Sequence, residues 1–181
     1  MVKRWIGGWL LLAVAALAPG CGYTTKSLLP EHIKSVHIAP VKNAIDLSVE
    51  VSDVDRFRVY RPGIEVDLTN AIINRFIFDG NLKVAQKDKA DAVLDLALTD
   101  YRRDPLRYSE NDDVQEYRLS ITLKATLTDV TGNKVLWSEA GIVGDTSFFL
   151  SGSRSITEDE AAARAVEDTA RRIVEKTIEV W

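Results

Sequence analysis

One segment constrains the fold of this chain more than any other. Residues 116–130, EYRLSITLKATLTDV, alternate apolar and polar side chains almost without interruption. The apolar positions are Tyr117, Leu119, Ile121, Leu123, Ala125 and Leu127. Successive side chains of a strand point to opposite faces of a sheet. The pattern therefore predicts a long strand with one buried face and one polar face, the latter running from Arg118 to Thr128.

The segments on both sides of this strand predict two more strands. The Gly-Asn pair at 132–133 is typical of a tight hairpin turn, and a strand that begins near Lys134 follows it. Upstream, AVLDLALTDY at residues 92–101 alternates leucines with polar residues. We therefore expect long antiparallel strands that share one apolar face.

Two further segments have the period of amphipathic helices. RPGIEVDLTNAIINRFIFDG, residues 61–80, has Pro62 where a first helical turn tolerates proline, acids near its start and Gly80 as a stop. Its predicted buried stripe consists of Ile64, Leu68, Ala71, Ile72, Phe76 and Phe78. Thr157 and Glu160 form a capping box before a long terminal helix. The predicted stripe of that helix consists of Ala162, Val166, Thr169, Ala170, Ile173, Thr177 and Val180.

The order of elements predicts the fold class. Residues 33–41 and 81–86 predict short strands, and residues 43–60 contain two short alternating runs that could form a hairpin insertion. We expect an α+β fold, with two helices packed on one face of a mostly antiparallel or mixed sheet of about four to five strands.

The N-terminus has the pattern of an export signal. Lys3 and Arg4 precede an apolar run that Pro19 and Gly20 end just before Cys21. The run is shorter than the roughly 20 apolar residues that a transmembrane helix needs. Cys21, the only cysteine, stands where bacterial lipoproteins carry their acylated cysteine; the alternative is a free thiol beside an ordinary signal peptide. We predict a signal peptide over 1–20, a lipidated tether over 21–31 and one domain over 32–181.

Composition disfavours several classes of function. The formal net charge is −4, and without Lys3 and Arg4 the chain is still more acidic, which argues against nucleic acid as a partner. One cysteine allows no intramolecular disulfide, and only His32 and His37 could supply imidazole ligands. The sequence contains no common nucleotide-binding, hydrolase or zinc-protease motif. We therefore expect no enzymatic activity, no metal and no cofactor other than the lipid on Cys21.

Arginines near strand ends are the candidates for ligand binding. They are Arg102, Arg103 and Arg107, around the point where we expect a strand to end at Pro105, and Arg154 in the polar loop SGSRS. Guanidinium groups bind phosphate oxygens in pairs, so these residues could bind a phosphorylated glycolipid. The alternative is ordinary ion pairs with nearby acids, namely Asp104, Glu110 or Asp112.

Taken together, these segments resemble the LptE family, the lipopolysaccharide-assembly lipoproteins of the outer membrane. The resemblance rests on the order of CGY at Cys21, the first helix with its exit strand, DAVLDLALTDY, EYRLSITLKATLTD, KVLW and the charged terminal helix. Residues 43–61 depart from the short connection of the family.

The resemblance implies a non-enzymatic lipoprotein, lipid-anchored at the periplasmic face of the outer membrane. It further implies a seat in the barrel of an LptD-like partner, assistance to the assembly of that barrel, and delivery of lipopolysaccharide to the outer leaflet. By position, the resemblance also implies that Arg107 and Arg154 fall in the two loops through which the family contacts lipopolysaccharide, with Arg102 and Arg103 nearby. A second hypothesis is a lipoprotein that activates a periplasmic cell-wall synthase. A periplasmic hydrolase is disfavoured because no nucleophile and base can be placed.

Overall fold

The computed structural model describes residues 29–45 and 60–178. The predicted signal peptide, Cys21, most of the tether, most of the possible hairpin insertion and Val180 lie outside the described residues. The helices are α1 (Ile64–Asp79) and α2 (Glu158–Ile178). The strands are β1 (Ser35–Ile38), β2 (Lys42–Asn43), β3 (Lys83–Val84), β4 (Ala92–Tyr108), β5 (Val114–Asp129) and β6 (Lys134–Phe149).

The strands form one mixed sheet in the order β3-β1-β4-β5-β6, with β2 also paired to β4. The short strands β1, β2 and β3 run parallel to their neighbours, whereas the long strands β4, β5 and β6 are antiparallel. The predicted α+β class is confirmed. The sheet has six strands, slightly more than expected, because the two-residue strand β2 adds to those predicted.

The core lies between the helices and one face of the sheet. The alternation predicted for β5 is confirmed, since its apolar side chains from Leu119 to Leu127 are buried in the hydrophobic core. Both helices contribute to the same core, and α2 packs on β5 and β6. Among the described residues no helix covers the opposite face, on which Thr126 and Ser138 join β5 to β6 through their hydroxyl groups at 2.9 Å.

A bulge at Thr99 changes the phase of β4. Leu98 pairs with Leu123, whereas Asp100 pairs with Thr122, so Thr99 is an extra residue in the strand. Before the bulge the leucines face the core, and after it Tyr101 does, with only 1% of its surface exposed. The odd-numbered residues from Tyr101 to Pro105 therefore face the helices, and the even-numbered ones face the open side of the sheet. A second irregularity between Pro105 and Arg107 reverses the faces again and places Arg107 on the open side.

Helix α1 differs from the prediction at both ends. Gly63, with a left-handed φ of 87°, precedes the first helical residue, so Pro62 lies outside the helix. The buried stripe consists of Ile64, Leu68, Ile72 and Phe76, and Ala71 packs partly against it. Phe78, which we expected on this stripe, is 81% exposed because it falls on a different side of the helix. Gly80 ends the helix as predicted, with its N–H donating to the carbonyl of Phe76.

Helix α2 follows its predicted stripe closely. Every predicted position from Ala162 to Thr177 is buried. At its start, the Glu160 N–H donates to the Thr157 hydroxyl at 3.1 Å, which is the first half of the predicted capping box. The Glu160 carboxylate accepts a hydrogen bond from Arg164 at 2.8 Å.

The helix approaches β6 most closely at Gly144. A Cβ atom at this position would lie 2.5 Å from the Thr169 backbone nitrogen and 2.6 Å from its Cα. Thr169 is fully buried, and its hydroxyl donates to the Ala165 carbonyl at 2.7 Å. The absence of a side chain at Gly144 therefore sets the distance between α2 and the sheet.

The start of β1 is fixed to the sheet by a carboxylate. Asp91 accepts hydrogen bonds from the Lys34 N–H at 3.0 Å, the Ser35 N–H at 2.9 Å and the Ser35 hydroxyl at 2.7 Å. The bond from the Ser35 hydroxyl, followed by the backbone bond from Lys34, lowers the pKa of Asp91 below its ordinary value of 3.8. Leu29 and Ile33 are buried beside this junction, so packing of the domain begins at the first described residue.

We expect Gly144→Ala to destabilise the fold by about 1–3 kcal/mol, because the new methyl group collides with backbone atoms that cannot yield without moving α2. Gly141→Ala on the same strand is the matched control, since a Cβ there has nothing within 4 Å. Urea unfolding measures both variants. Equal stability of the two would contradict the close approach of helix and strand.

We expect Asp91→Ala to lower the melting temperature above about pH 4 and to have a smaller effect in stronger acid. A carboxyl whose pKa is lowered by folding stabilises the fold above its ordinary pKa, and this stabilisation is lost as the pH falls through the lowered pKa. Asp88→Ala, an exposed acid on the same connection, serves as the control. Melting curves between pH 7 and pH 2.5 make the comparison; a deficit independent of pH would rule out this role for the carboxylate.

Candidate functional site

The predicted loop arginines lie at one end of the sheet, formed by the β4–β5 turn, the end of β6 and the loop over 150–157. We call this the loop end. The expectation that β4 ends at Pro105 was wrong, because the strand continues to Tyr108 and Pro105 pairs with Tyr117. The parallel pairing of β4 stops at Asn43 opposite Leu98. Pro105 therefore lies on an edge segment, where a missing N–H is tolerated.

A cross-strand row brings the main site residues together. Arg107 on β4 lies opposite Glu116 on β5, which lies opposite Phe149 on β6. The Arg107 Nε and Glu116 Oε2 are 3.6 Å apart. The guanidinium carbons of Arg107 and Arg154 lie 5.7 Å and 5.0 Å from the centre of the Phe149 ring. Two arginines that are far apart in the sequence thus contact one aromatic side chain through cation–π interactions.

The loop after β6 is shaped so that Arg154 returns to Phe149. Gly152 has a φ of 91°, a left-handed conformation that glycine adopts without strain. The Ser155 N–H and hydroxyl both donate to the Gly152 carbonyl, at 3.2 Å and 2.8 Å. Ser155 also forms an isolated parallel bridge with Phe149. This turn holds Arg154 beside the end of the sheet.

The surface of the loop end is both cationic and apolar. The Arg107 side chain is 60% exposed, and Arg154 is exposed and has no ion-pair partner among the described residues. Three large apolar side chains are exposed in the same region: Leu106, Tyr108 and Leu150. The acids of the β4–β5 turn are exposed and pair with neither arginine. This combination can bind a phosphate group through the guanidiniums and a hydrocarbon chain through the apolar side chains.

Arg102 and Arg103 do not join this cluster, because each has other partners. Arg102 lies on the open face and pairs with Asp104 at 3.0 Å, which is the ion pair considered as the alternative. Arg103 faces the helices, where it pairs with Glu158 at 2.5 Å and stacks on Tyr117 at 5.0 Å. Both arginines therefore have structural partners.

Phe149 and Glu116 are the site residues that sequence reasoning missed. Neither of them is identified as a site residue from the sequence alone. Phe148, the neighbour of Phe149, is buried and packs against Tyr117 with ring centres 5.9 Å apart, so in a strand Phe149 must face the other way. The sequence signal that could have identified Phe149 was FFL, residues 148–150, at the end of a predicted strand.

The remaining candidate residues have structural partners in the described chain. The His32 Nε2 lies 2.9 Å from Asp129 Oδ2, and the His37 Nδ1 lies 3.2 Å from the Ala85 carbonyl oxygen. The described residues contain no group of three or more His, Cys, Asp or Glu side chains that could hold a metal ion. Among them there is also no helix with the length and hydropathy to cross a membrane.

Several solved structures share this fold. A Xanthomonas campestris protein matches with 16% identity over 84% of this chain and 86% of its own, at a TM-score of 0.50. A hypothetical protein from Chlamydia trachomatis matches with 14% identity over 82% and 99% of the two chains, and a minor lipoprotein from Acinetobacter baumannii with 14% identity over 82% and 94%, both at 0.50. At these identities the similarity shows the fold alone. None of the curated proteins compared with this chain matches it.

The sequence model of one family matches most of the chain. Its description is lipopolysaccharide-assembly, LptE, and the match covers residues 33–177. This range includes every strand of the sheet, all of α1, and all of α2 except its last residue, Ile178. The resemblance seen in the sequence is thereby confirmed, and the chain belongs to the LptE family of lipopolysaccharide-assembly proteins.

Proposed function

We propose that this protein is an outer-membrane lipoprotein that works with an LptD-like β-barrel to assemble the barrel and to deliver lipopolysaccharide to the outer leaflet. It is anchored at the periplasmic face by lipid on Cys21, binds no nucleic acid and catalyses no reaction. Membership of the family supports this proposal. The single observation that carries it is the convergence of Arg107 and Arg154 on Phe149 at the loop end.

The loop end matches the chemistry of lipopolysaccharide. Its lipid portion carries phosphate groups next to acyl chains, and the site offers two exposed guanidiniums next to exposed Leu106, Tyr108 and Leu150. Stacking on Phe149 holds the guanidinium planes while their N–H groups stay available for phosphate oxygens. Glu116 is largely covered and pairs with Arg107, whereas Arg154 has no ion pair among the residues that the structure describes.

The dimensions and polarity of the sheet suit a seat inside a barrel. β4 has 17 residues, so the sheet is about 55 Å long at roughly 3.3 Å per residue. The hydrocarbon core of a bilayer is about 30 Å thick, so a domain of this length extends well into a membrane barrel. The face that no described helix covers carries hydroxyl and charged groups from Arg118 to Thr128, which is compatible with a polar lumen.

The barrel partnership is tested by isolating the tagged full-length chain from outer membranes in a mild detergent. We expect a large β-barrel protein to co-purify in fixed proportion. Recovery of the lipoprotein without a barrel would contradict the proposal, and co-purification of a cell-wall synthase would favour activation of that enzyme instead.

The ligand site is tested by replacing Arg107 and Arg154 together with aspartate. We expect the affinity for lipopolysaccharide to fall about tenfold or more, because two charge-assisted contacts become repulsive. The melting temperature should change little, since both side chains are on the surface. Binding of fluorescent lipopolysaccharide measures the effect.

Arg164→Asp is the matched control for charge, since Arg164 is 55% exposed on α2 and its one ion pair within the described ranges is with Glu160. Phe149→Leu tests the stacking separately and should weaken binding less than loss of both arginines. If the double variant bound as tightly as the native chain while its melting transition stayed intact, the loop end would not be the ligand site.

A further inference from the structure

The last turn of α1 exposes two large apolar side chains. Phe78 is 81% exposed and Ile77 is 63% exposed. The guanidinium carbon of Arg75 lies 5.5 Å from the Phe78 ring centre, so a cation borders the apolar pair. Within the described residues nothing covers these side chains. Exposed large apolar side chains that lie next to each other, as these do, are typical of a contact surface.

This turn lies at the end of the sheet opposite the loop end. After α1 the chain enters β3 at Lys83, which pairs with Ser35 at the start of β1. The row continues from Val36 to Ala92 and on to the β5–β6 turn after Asp129. We call this the entry end, because the described chain enters the domain here.

The entry point is held firmly in place. Leu29 and Ile33 are buried, Asp91 binds the start of β1, and His32 contacts Asp129. From Cys21 to Leu29 there are eight residue steps, which span at most about 28 Å when fully extended. A lipid on Cys21 therefore keeps the entry end close to the membrane surface, whereas the loop end is about 55 Å away along the sheet.

The entry end carries both cations and acids. Its charges therefore allow contact with lipid headgroups but do not provide most of the attraction. Among the described residues six cations border the exposed pair or the neighbouring strand starts: Arg75, Lys34, Lys83, Lys87, Lys89 and Lys134. Three exposed acids share this end: Glu31, Asp79 and Asp88. The carboxylates of Asp91 and Asp129 accept hydrogen bonds from the protein itself. The apolar side chains therefore provide the main attraction.

We propose that the entry end is a membrane-contact surface on which Phe78 and Ile77 insert into the headgroup region of the leaflet that carries the lipid anchor. Aromatic side chains are favoured at this depth, and a neighbouring cation pairs with lipid phosphates. The loop end then lies about 55 Å from this contact along the sheet. This inference rests on the proposed lipidation of Cys21.

The test uses the full-length lipoprotein with a single cysteine introduced at an exposed site of α1. Phe78→Cys and Val66→Cys are the two variants; Val66 is 62% exposed on the same helix and about 18 Å further along it. Each is labelled with a polarity-sensitive fluorophore and reconstituted into vesicles of phosphatidylethanolamine and phosphatidylglycerol. We expect a blue shift of emission and loss of iodide quenching at position 78, and neither change at position 66.

The native chain is the control for lipidation, because an acylated Cys21 takes no thiol label. If the native chain took the thiol label and did not float with the vesicles, the lipid anchor of the proposed function would be overturned. Floating without a shift at position 78 would overturn only the present inference. Equal shifts at positions 78 and 66 would also overturn it, because α1 would then lie flat on the membrane.

Discussion

The structure depends on the apolar inner face of β5. The side chains of Leu119, Ile121, Leu123 and Leu127 are completely buried, and burial of each contributes roughly 1.5–3 kcal/mol. A central strand with one such face can be covered only by elements that lie on that side, so both helices pack there. The opposite face remains polar and free of described helices. The division of the domain into a helical side and an open side thus follows from the alternation of one strand.

The same face determines where the candidate site is formed. Three long strands that pair over nearly their whole length carry the β4–β5 turn and the loop after β6 to one distant end, where few residues remain for core packing. Phe149 faces away from the core, unlike its neighbour Phe148, and the guanidinium groups of Arg107 and Arg154 both stack on its ring. The ligand chemistry proposed for this end therefore uses side chains that the core does not need.

The two ends of the sheet have different physical characters. The entry end is held by carboxylates that bind backbone N–H groups and carries exposed Ile77 and Phe78. The loop end carries arginines stacked on an aromatic ring. The two ends are about 55 Å apart, which would let one end serve the proposed attachment while the other binds the proposed ligand. In the proposed function the sheet acts as a rigid spacer between the anchor and the ligand.

The sequence by itself determined the α+β class, the inner face of β5 and the buried stripe of α2, because these depend on local periodicity with a large apolar surface. It also carried the resemblance to the LptE family that the family match confirms. Only the tertiary structure decided which arginines cooperate. An extra residue at Thr99 reverses the faces of β4, and a second irregularity between Pro105 and Arg107 reverses them again. The pairing of distant strands then brings Arg107 and Arg154 to one ring. A bulge and a long-range contact leave no periodic trace in the sequence, since each depends on a partner strand that the local pattern does not identify.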